Sequence, residues 1–298
     1  MRVSIVGGTG FVGGYLVDAL LAAGHEPSVL LRPGSEHKLR DAGRVRTVQG
    51  DLSSKDALSE LVAGADAVIY NVGLLREFPR RGITFEQAQY QGVVDTVAAA
   101  SEAGVMRLLL MSAIGVRNPG TAYQSTKYRA EKHALASGLD VTVMRPSVIF
   151  GDPRGTMEFA TQLYRDMVRP PIPAAVFPGV QMSPVHIEDV AAAFVAALDD
   201  DATIGQTLEL AGPEILGWDD MLRRIAAAVG KSKFMLPMPL WVMRFGATLF
   251  DWLPFYPVTR DQLTMLEQGN TASPATLQTL IDRAPQAFTK QTLAYLAD

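Results

Sequence analysis

Tyr123 and Lys127 stand four residues apart, a spacing that puts a phenol and an ammonium on one face of a helix. A phenol with a reference pKa of about 10 is a poor base near neutrality, and a neighbouring cation favours the phenolate, so the pair could manage a proton. Ser112 lies eleven residues before the tyrosine, directly after the apolar run Arg107–Met111. A second group lies at the N-terminus, where Gly7-Gly8-Thr9-Gly10-Phe11-Val12-Gly13 follows a β-branched run and precedes a helical pattern. In that context Gly7 permits a tight exit from a strand, Gly10 lets backbone approach a pyrophosphate, and Gly13 allows close packing of helix on strand. The turn therefore predicts a bound dinucleotide. At the end of the second strand, where a carboxylate would hold the ribose 2′-hydroxyl of NAD, the chain has Arg32, followed by Pro33 and Gly34 with no acid before Glu36. A guanidinium pairs with a 2′-phosphate and stacks on adenine, so NADP(H) is the expected cofactor, with NAD(H) as the other possibility.

The elements that must position these groups follow from periodicity. Val3–Val6, Pro27–Leu31, Val45–Gln49, Ala67–Tyr70, Arg107–Met111 and Val141–Met144 read as strands, and Phe11–Ala23, Lys55–Val62, Glu86–Ala103 and Ala122–Ser137 as helices. Strand and helix in regular alternation mean parallel pairing through right-handed crossovers, hence an α/β fold: a doubly wound parallel sheet of the Rossmann type. Of the 26 glycines, 17 fall in residues 1–150, whereas 13 of the 18 prolines fall later. Residues 1–150 are thus expected to form the dinucleotide-binding domain, and residues 151–298 mainly a smaller cap. A helix at Ile187–Leu198 and a strand at Thr207–Leu210 mark a segment near 186–211 that returns to the first domain.

With the glycine turn, Ser112, Tyr123 and Lys127 form the constellation of the short-chain dehydrogenase/reductase superfamily, and the chain resembles its extended or atypical branch. The resemblance implies that Tyr123 transfers a proton to or from the substrate oxygen, that Ser112 hydrogen-bonds that oxygen, and that Lys127 lowers the phenol's pKa and holds the nicotinamide ribose. It further implies that Asp51, in Gly50-Asp51-Leu52, meets the adenine amine, and that Asn71-Val72-Gly73 borders the cofactor. Pro146, Ser147 and Val148 lie in a segment resembling the one that supports the nicotinamide. Pro184–Val190 resembles the helix start after the first cap segment, and there His186 and Asp189 are read as structural. Gln89 stands where many extended members carry Asn, and Met111-Ser112-Ala113-Ile114-Gly115 lacks the hydroxyl run typical of sugar-nucleotide epimerases and dehydratases. Pro254–Leu263 and Leu266-Glu267-Gln268-Gly269-Asn270 look like the NADPH-binding accessory subunit of respiratory complex I and its bacterial relatives. That likeness keeps a non-catalytic NADP(H)-binding subunit beside the leading expectation, an oxidoreductase for a carbonyl or alcohol of an apolar molecule.

Composition removes other classes. The chain has 298 residues, 48% hydrophobic and 19% charged, with no cysteine and a net charge of −4. Without thiols there is no disulfide frame, thiolate metal site or cysteine nucleophile. With 31 acidic against 27 basic residues and no basic run, nucleic acid is not an expected partner. The four histidines lie far apart, so no metal is expected. No uncharged, continuously apolar stretch of membrane-spanning length occurs, and a cytoplasmic protein is the expectation. Leu240–Leu253 is nevertheless apolar almost all round, as a buried helix, the wall of a greasy pocket, a protein contact or a peripheral membrane contact would be. Arg76, Arg80 and Arg81 follow the fourth strand as a solvated loop or a contact for an anionic substrate.

Overall fold

The structure is a computed structural model that describes residues 1–74, 76–239, 241 and 260–297. In chain order the first elements are β1 (Arg2–Val6), α1 (Phe11–Ala22), β2 (Glu26–Leu31), β3 (Arg46–Gln49), α2 (Lys55–Val62) and β4 (Ala67–Tyr70). A π-helical stretch at Glu86–Gln91 leads into α3 (Gly92–Glu102), followed by β5 (Arg107–Met111), α4 (Ala122–Leu135) and β6 (Asp140–Pro146). Beyond these come β7 (Ile149–Phe150), α5 (Phe159–Leu163), β8 (Ala174–Val176), β9 (Gln181–Met182), β10 (Val185–His186), α6 (Ile187–Asp199), β11 (Thr207–Leu210), β12 (Leu216–Gly217), α7 (Trp218–Ala228) and β13 (Met235–Pro237). Helices Arg260–Gln268 and Ala275–Ile281 follow.

Seven strands form one sheet in the order β11-β6-β5-β4-β1-β2-β3, and the five pairings from β3 through β6 are parallel. The expected doubly wound α/β sheet is therefore present. Val3, Ile5, Val68, Ile69, Leu108 and Leu109 are fully buried, as strands covered by helices on both faces require. Chain direction across the sheet reverses between β1 and β4, so the loops leaving those two strands flank the crevice in which such sheets bind ligands. Side-chain caps fix the helix starts: Ser54 accepts from the Ala57 N–H at 3.3 Å before α2, and Thr121 and Gln124 form a reciprocal capping box before α4.

The chain divides into two compact units, Met1–Arg145 with Val190–Leu208, and Pro146–Asp189 with Glu209–Asp298. In the second, β7 pairs with β10 and β8 with β13 in parallel, and β9 pairs with β12 antiparallel. These ladders enclose a core containing Phe150, Phe177, Trp218, Leu222 and Phe288.

One helix departs from expectation. Glu86–Ala103 does not run as a continuous α-helix but opens with the π-helical stretch. Tyr70 Oη donates to the Ala88 carbonyl at 2.5 Å, and a Cβ at Gly92 would come within 2.1 Å of the phenol oxygen. The inserted phenol takes a carbonyl out of the regular ladder, which widens the turn by a residue. Leu240–Leu253, apart from Trp241, and residues 254–259 of the Pro254–Leu263 segment lie outside the described residues.

Candidate functional site

Two of the three spaced glycines in the β1–α1 turn are imposed by the chain itself. Gly7 has φ +94°, and a Cβ there would lie 2.4 Å from the Asn71 carbonyl oxygen. A Cβ on Gly13 would lie 2.2 Å from the Gly7 carbonyl oxygen and 2.6 Å from the Gly8 Cα. Gly10 differs, because an added Cβ there would meet only the Gly7 oxygen at 3.6 Å, an ordinary contact. Protein packing does not require a glycine at position 10, whereas a ligand approaching the backbone would. Helix α1 starts at Gly10 with no side-chain cap and no acid in its first turn. Its positive dipole end is thus left for an anion beside Phe11, Val12 and Gly13, with Thr9 half-buried just before.

Arg32 is exposed just after β2, and Asp51 is exposed just after β3. The Ser53 hydroxyl and N–H, at 2.6 and 2.8 Å, hold the Asp51 carboxyl below its ordinary range, and the Arg32 charge adds to the effect. Leu52 packs on the core. Asn71 continues from β4 by donating its N–H to the Val6 carbonyl at 2.8 Å, and its amide reaches the Gly7 carbonyl at 3.5 Å. Val72 lies beside Gly7, and Gly73 follows.

The second cluster is built from buried side chains. Lys127 donates to the Met111 carbonyl at 3.1 Å, and its Nζ would lie 4.0 Å from a Cβ at Gly73. The ends of β4 and β5 therefore meet α4 at this ammonium. It lies 5.9 Å from the centroid of the Tyr123 ring. Burial lowers the Lys127 pKa to about 8, opposed by the Glu131 carboxylate; the ammonium stays mostly protonated near neutrality. Tyr123 is buried too, and burial pushes its phenol well above the usual value, so the hydroxyl is neutral. Ser112 donates its N–H to the Met144 carbonyl at 2.7 Å, while its buried Oγ has no hydrogen-bond partner among the described residues. An unsatisfied buried hydroxyl costs about 1–3 kcal/mol. A ligand oxygen would satisfy it.

Comparison with known proteins shows the family. A family described as NAD(P)H-binding matches residues 7–201. The chain belongs to this family. The NAD(P)H-binding chain is 29% identical over 289 residues to NADH dehydrogenase [ubiquinone] 1 alpha subcomplex subunit 9, mitochondrial, of Arabidopsis thaliana, covering 92% of this chain and 70% of that one. It is 28% identical over 252 residues to a ceramide reductase of Caulobacter vibrioides, covering 84% and 78%. Among solved structures, a UDP-glucose 4-epimerase of Thermus thermophilus in complex with NAD superposes with TM-score 0.73 at 20% identity, covering 100% and 98%. That likeness shows the shared fold. Among curated proteins, respiratory subunits, reductases and a UDP-glucose 4-epimerase of Vibrio cholerae, 22% identical over 273 residues, are relatives of this NAD(P)H-binding protein.

Of three features around its buried cluster, two escaped the sequence reading, and for Gln89 only the contacts did. Glu131, one helical turn beyond Lys127, is itself buried and clamped by Arg145 through bonds of 2.9 and 2.5 Å. The four-residue spacing of Tyr123, Lys127 and Glu131 was the available signal. Phe85 packs edge-on against Tyr123 at 5.7 Å, a tertiary contact with no sequence signature. Gln89, in the π-helical stretch, donates to the Leu74 carbonyl at 2.9 Å, and its buried Oε1 has no partner among the described residues.

In the second unit Pro146 ends β6, and Ser147 and Val148 are braced by one asparagine. The Ser147 hydroxyl donates to the Asn270 carbonyl and the Val148 N–H to Asn270 Oδ1, both at 3.1 Å. Gly269-Asn270 stood out as sequence; the bracing needed coordinates. Asp189, fully buried, pairs with Arg283 at 2.5 Å and accepts the Gln286 N–H at 2.6 Å, and His186 packs edge-on against Phe150. Both are engaged in packing. Of the loop arginines, Arg80 is exposed, and the Arg81 side chain lies outside the described residues.

Proposed function

We propose that the protein is an NADP(H)-dependent oxidoreductase acting on a carbonyl or alcohol of a fairly apolar small molecule. The observation that carries this reading is the buried cluster. A neutral Tyr123 phenol, a protonated Lys127 and an unsatisfied Ser112 hydroxyl share the C-terminal edge of the sheet. A bound nicotinamide would supply or accept the hydride. Ser112 would orient the substrate oxygen by hydrogen bonding, and Tyr123 would give that oxygen its proton in the reductive direction. Lys127 would stabilise the phenolate left behind, since a cation a few ångströms away favours the charged form. Gly10 and the first turn of α1 would hold the pyrophosphate, with Arg32 on the 2′-phosphate and Asp51, Asn71 and Gly73 along the cofactor. A relative named ceramide reductase supports an apolar substrate.

The second reading, a non-catalytic NADP(H)-binding subunit, is favoured by the likeness to the mitochondrial NADH dehydrogenase subunits. In that case the dinucleotide would stabilise the fold by linkage. An epimerase role carries less weight because the Ser112 loop lacks the hydroxyl run. The deciding experiment assays NADPH oxidation against long-chain aldehydes and ketones, with Tyr123→Phe as the control. We expect turnover in the wild type and a loss of about 10²–10⁴-fold in the variant, with NADPH affinity retained. Undiminished turnover in Tyr123→Phe would remove Tyr123 from the chemistry. A stoichiometric dinucleotide that survives dialysis with no turnover on any carbonyl would transfer the case to the structural reading.

A further inference from the structure

We propose that the outer face of the β8–β13 ladder, in the second unit, is a docking surface for an anionic lipid membrane. In this parallel pair Met235 sits opposite Ala174 and Leu236 opposite Ala175. Ala174 and Val176 are buried, and Ala175 and Met235 pack on the core, so it is on the β13 side that Phe234 and Leu236, which alternate with Met235, point away from it. Those positions are apolar. Phe234 is 73% exposed and Leu236 50%, with Ile172 at 65% before β8 and Trp241 at 70% three residues past Met238. The Ala174 N–H donates to the Phe234 carbonyl at 2.9 Å, so Ile172, Phe234 and Leu236 sit on joined segments, and large apolar side chains presented to water there mark an interaction site rather than scattered exposure.

The charges around them select the partner. Arg169 and Lys231 are exposed and Lys233 is half-buried; among the described residues none has a carboxylate within ion-pair distance, while the nearby Asp166 is taken by Arg165 at 2.7 Å. Lys233 donates to the Pro170 carbonyl, which draws the two segments together, and the Lys231 ammonium lies 5.7 Å from the Tyr164 ring centroid. A chain with net charge −4 thus gathers unneutralised cations beside its most exposed aromatic and aliphatic groups. Apolar anchors, an interfacial tryptophan and flanking lysines match the interfacial region of an anionic bilayer, where each basic residue adds attraction and Trp favours the headgroup level. A second copy of the chain would bring the same positive charge against itself. No helix among the described residues is long and apolar enough to cross a membrane, so the contact would be peripheral.

The test is flotation of the full protein with vesicles of phosphatidylcholine alone and of phosphatidylcholine mixed with phosphatidylglycerol. The wild type is expected to float with the mixed vesicles at low salt, to release at high salt, and to stay at the bottom with phosphatidylcholine alone. Phe234→Ser with Leu236→Ser should weaken binding by at least about tenfold, and Arg169→Gln with Lys231→Gln by roughly fivefold for each charge removed. All four sites lie at the surface or its margin, so melting temperatures should hold. Wild-type protein remaining at the bottom with both compositions at low salt would overturn the proposal. So would either double variant floating like wild type, or a Phe234→Ser, Leu236→Ser variant that turns a dimer into a monomer without changing flotation.

Discussion

The β1–α1 turn and the cluster around Lys127 use opposite means to prepare for a ligand. At the turn the chain removes atoms: Gly7 and Gly13 have no room for a Cβ, and Gly10 leaves the helix end bare. At the cluster it buries polar atoms at a cost, leaving Ser112 Oγ without a partner among the described residues and lowering the Lys127 pKa by burial. Backbone amides and a helix dipole recognise an anion whatever the rest of the molecule is, so a turn of this kind serves a common cofactor. Buried side chains in a dry environment act strongly on charge that develops nearby, as a reaction demands. The contrast also separates residues that hold the fold from residues that wait for a ligand.

Glycine substitutions give the sharpest division. Gly13→Ala should destabilise the protein by about 3 kcal/mol or more, since its Cβ would collide with backbone at Gly7 and Gly8 rather than with a flexible side chain. Gly10→Ala should cost under about 1 kcal/mol of stability, yet weaken NADPH by about 10–100-fold, the worth of a charge-assisted backbone bond to phosphate. Thermal denaturation and fluorescence titration on the two variants measure both quantities. If the variants lose stability equally, the distinction between packing glycine and ligand glycine fails.

The same physics explains which parts could be read from sequence. Ala67–Tyr70, Arg107–Met111, Lys55–Val62 and Thr207–Leu210 have the expected bounds, because apolar runs between turn residues leave one way to bury them. Val141–Met144 extends to Asp140–Pro146, since ladder hydrogen bonds outlast the apolar pattern. The two- and three-residue strands of the second unit carry too few positions for any period. Tyr123, Lys127 and Ser112 were legible through register and spacing. Phe85 against Tyr123 and Asn270 beneath Ser147 were not, because each joins segments whose approach only the folded chain defines.

Arg32 tests whether the turn end also holds ligand-directed side chains that owe nothing to packing. It is exposed, so Arg32→Asp should leave the melting temperature of the free protein unchanged within about a degree. NADPH affinity should fall by about tenfold or more, as expected when a guanidinium–phosphate bond is replaced by repulsion, while NADH is weakened much less. Parallel titrations with both dinucleotides give the comparison, and equal losses would remove the 2′-phosphate role from Arg32.

The smallest effect belongs to the other cluster and appears as a pH dependence. Burial brings Lys127 in the folded protein to about 8, below its ordinary value of 10.5, so the unfolded chain holds this proton more tightly. Between these values unfolding takes up a proton, and stability must rise with pH. Below about 8 both states are protonated and the full penalty of burying the ammonium is present; it fades as the folded lysine deprotonates. Relative to Lys127→Met, which lacks the titrating group, the protein without added dinucleotide should gain about 1 kcal/mol between pH 7 and pH 9. Chemical denaturation of both proteins at the two pH values reads this difference directly. A flat difference would mean that Lys127 keeps its proton without strain. Its environment would then lack the tension that sets this cluster apart from the glycine turn.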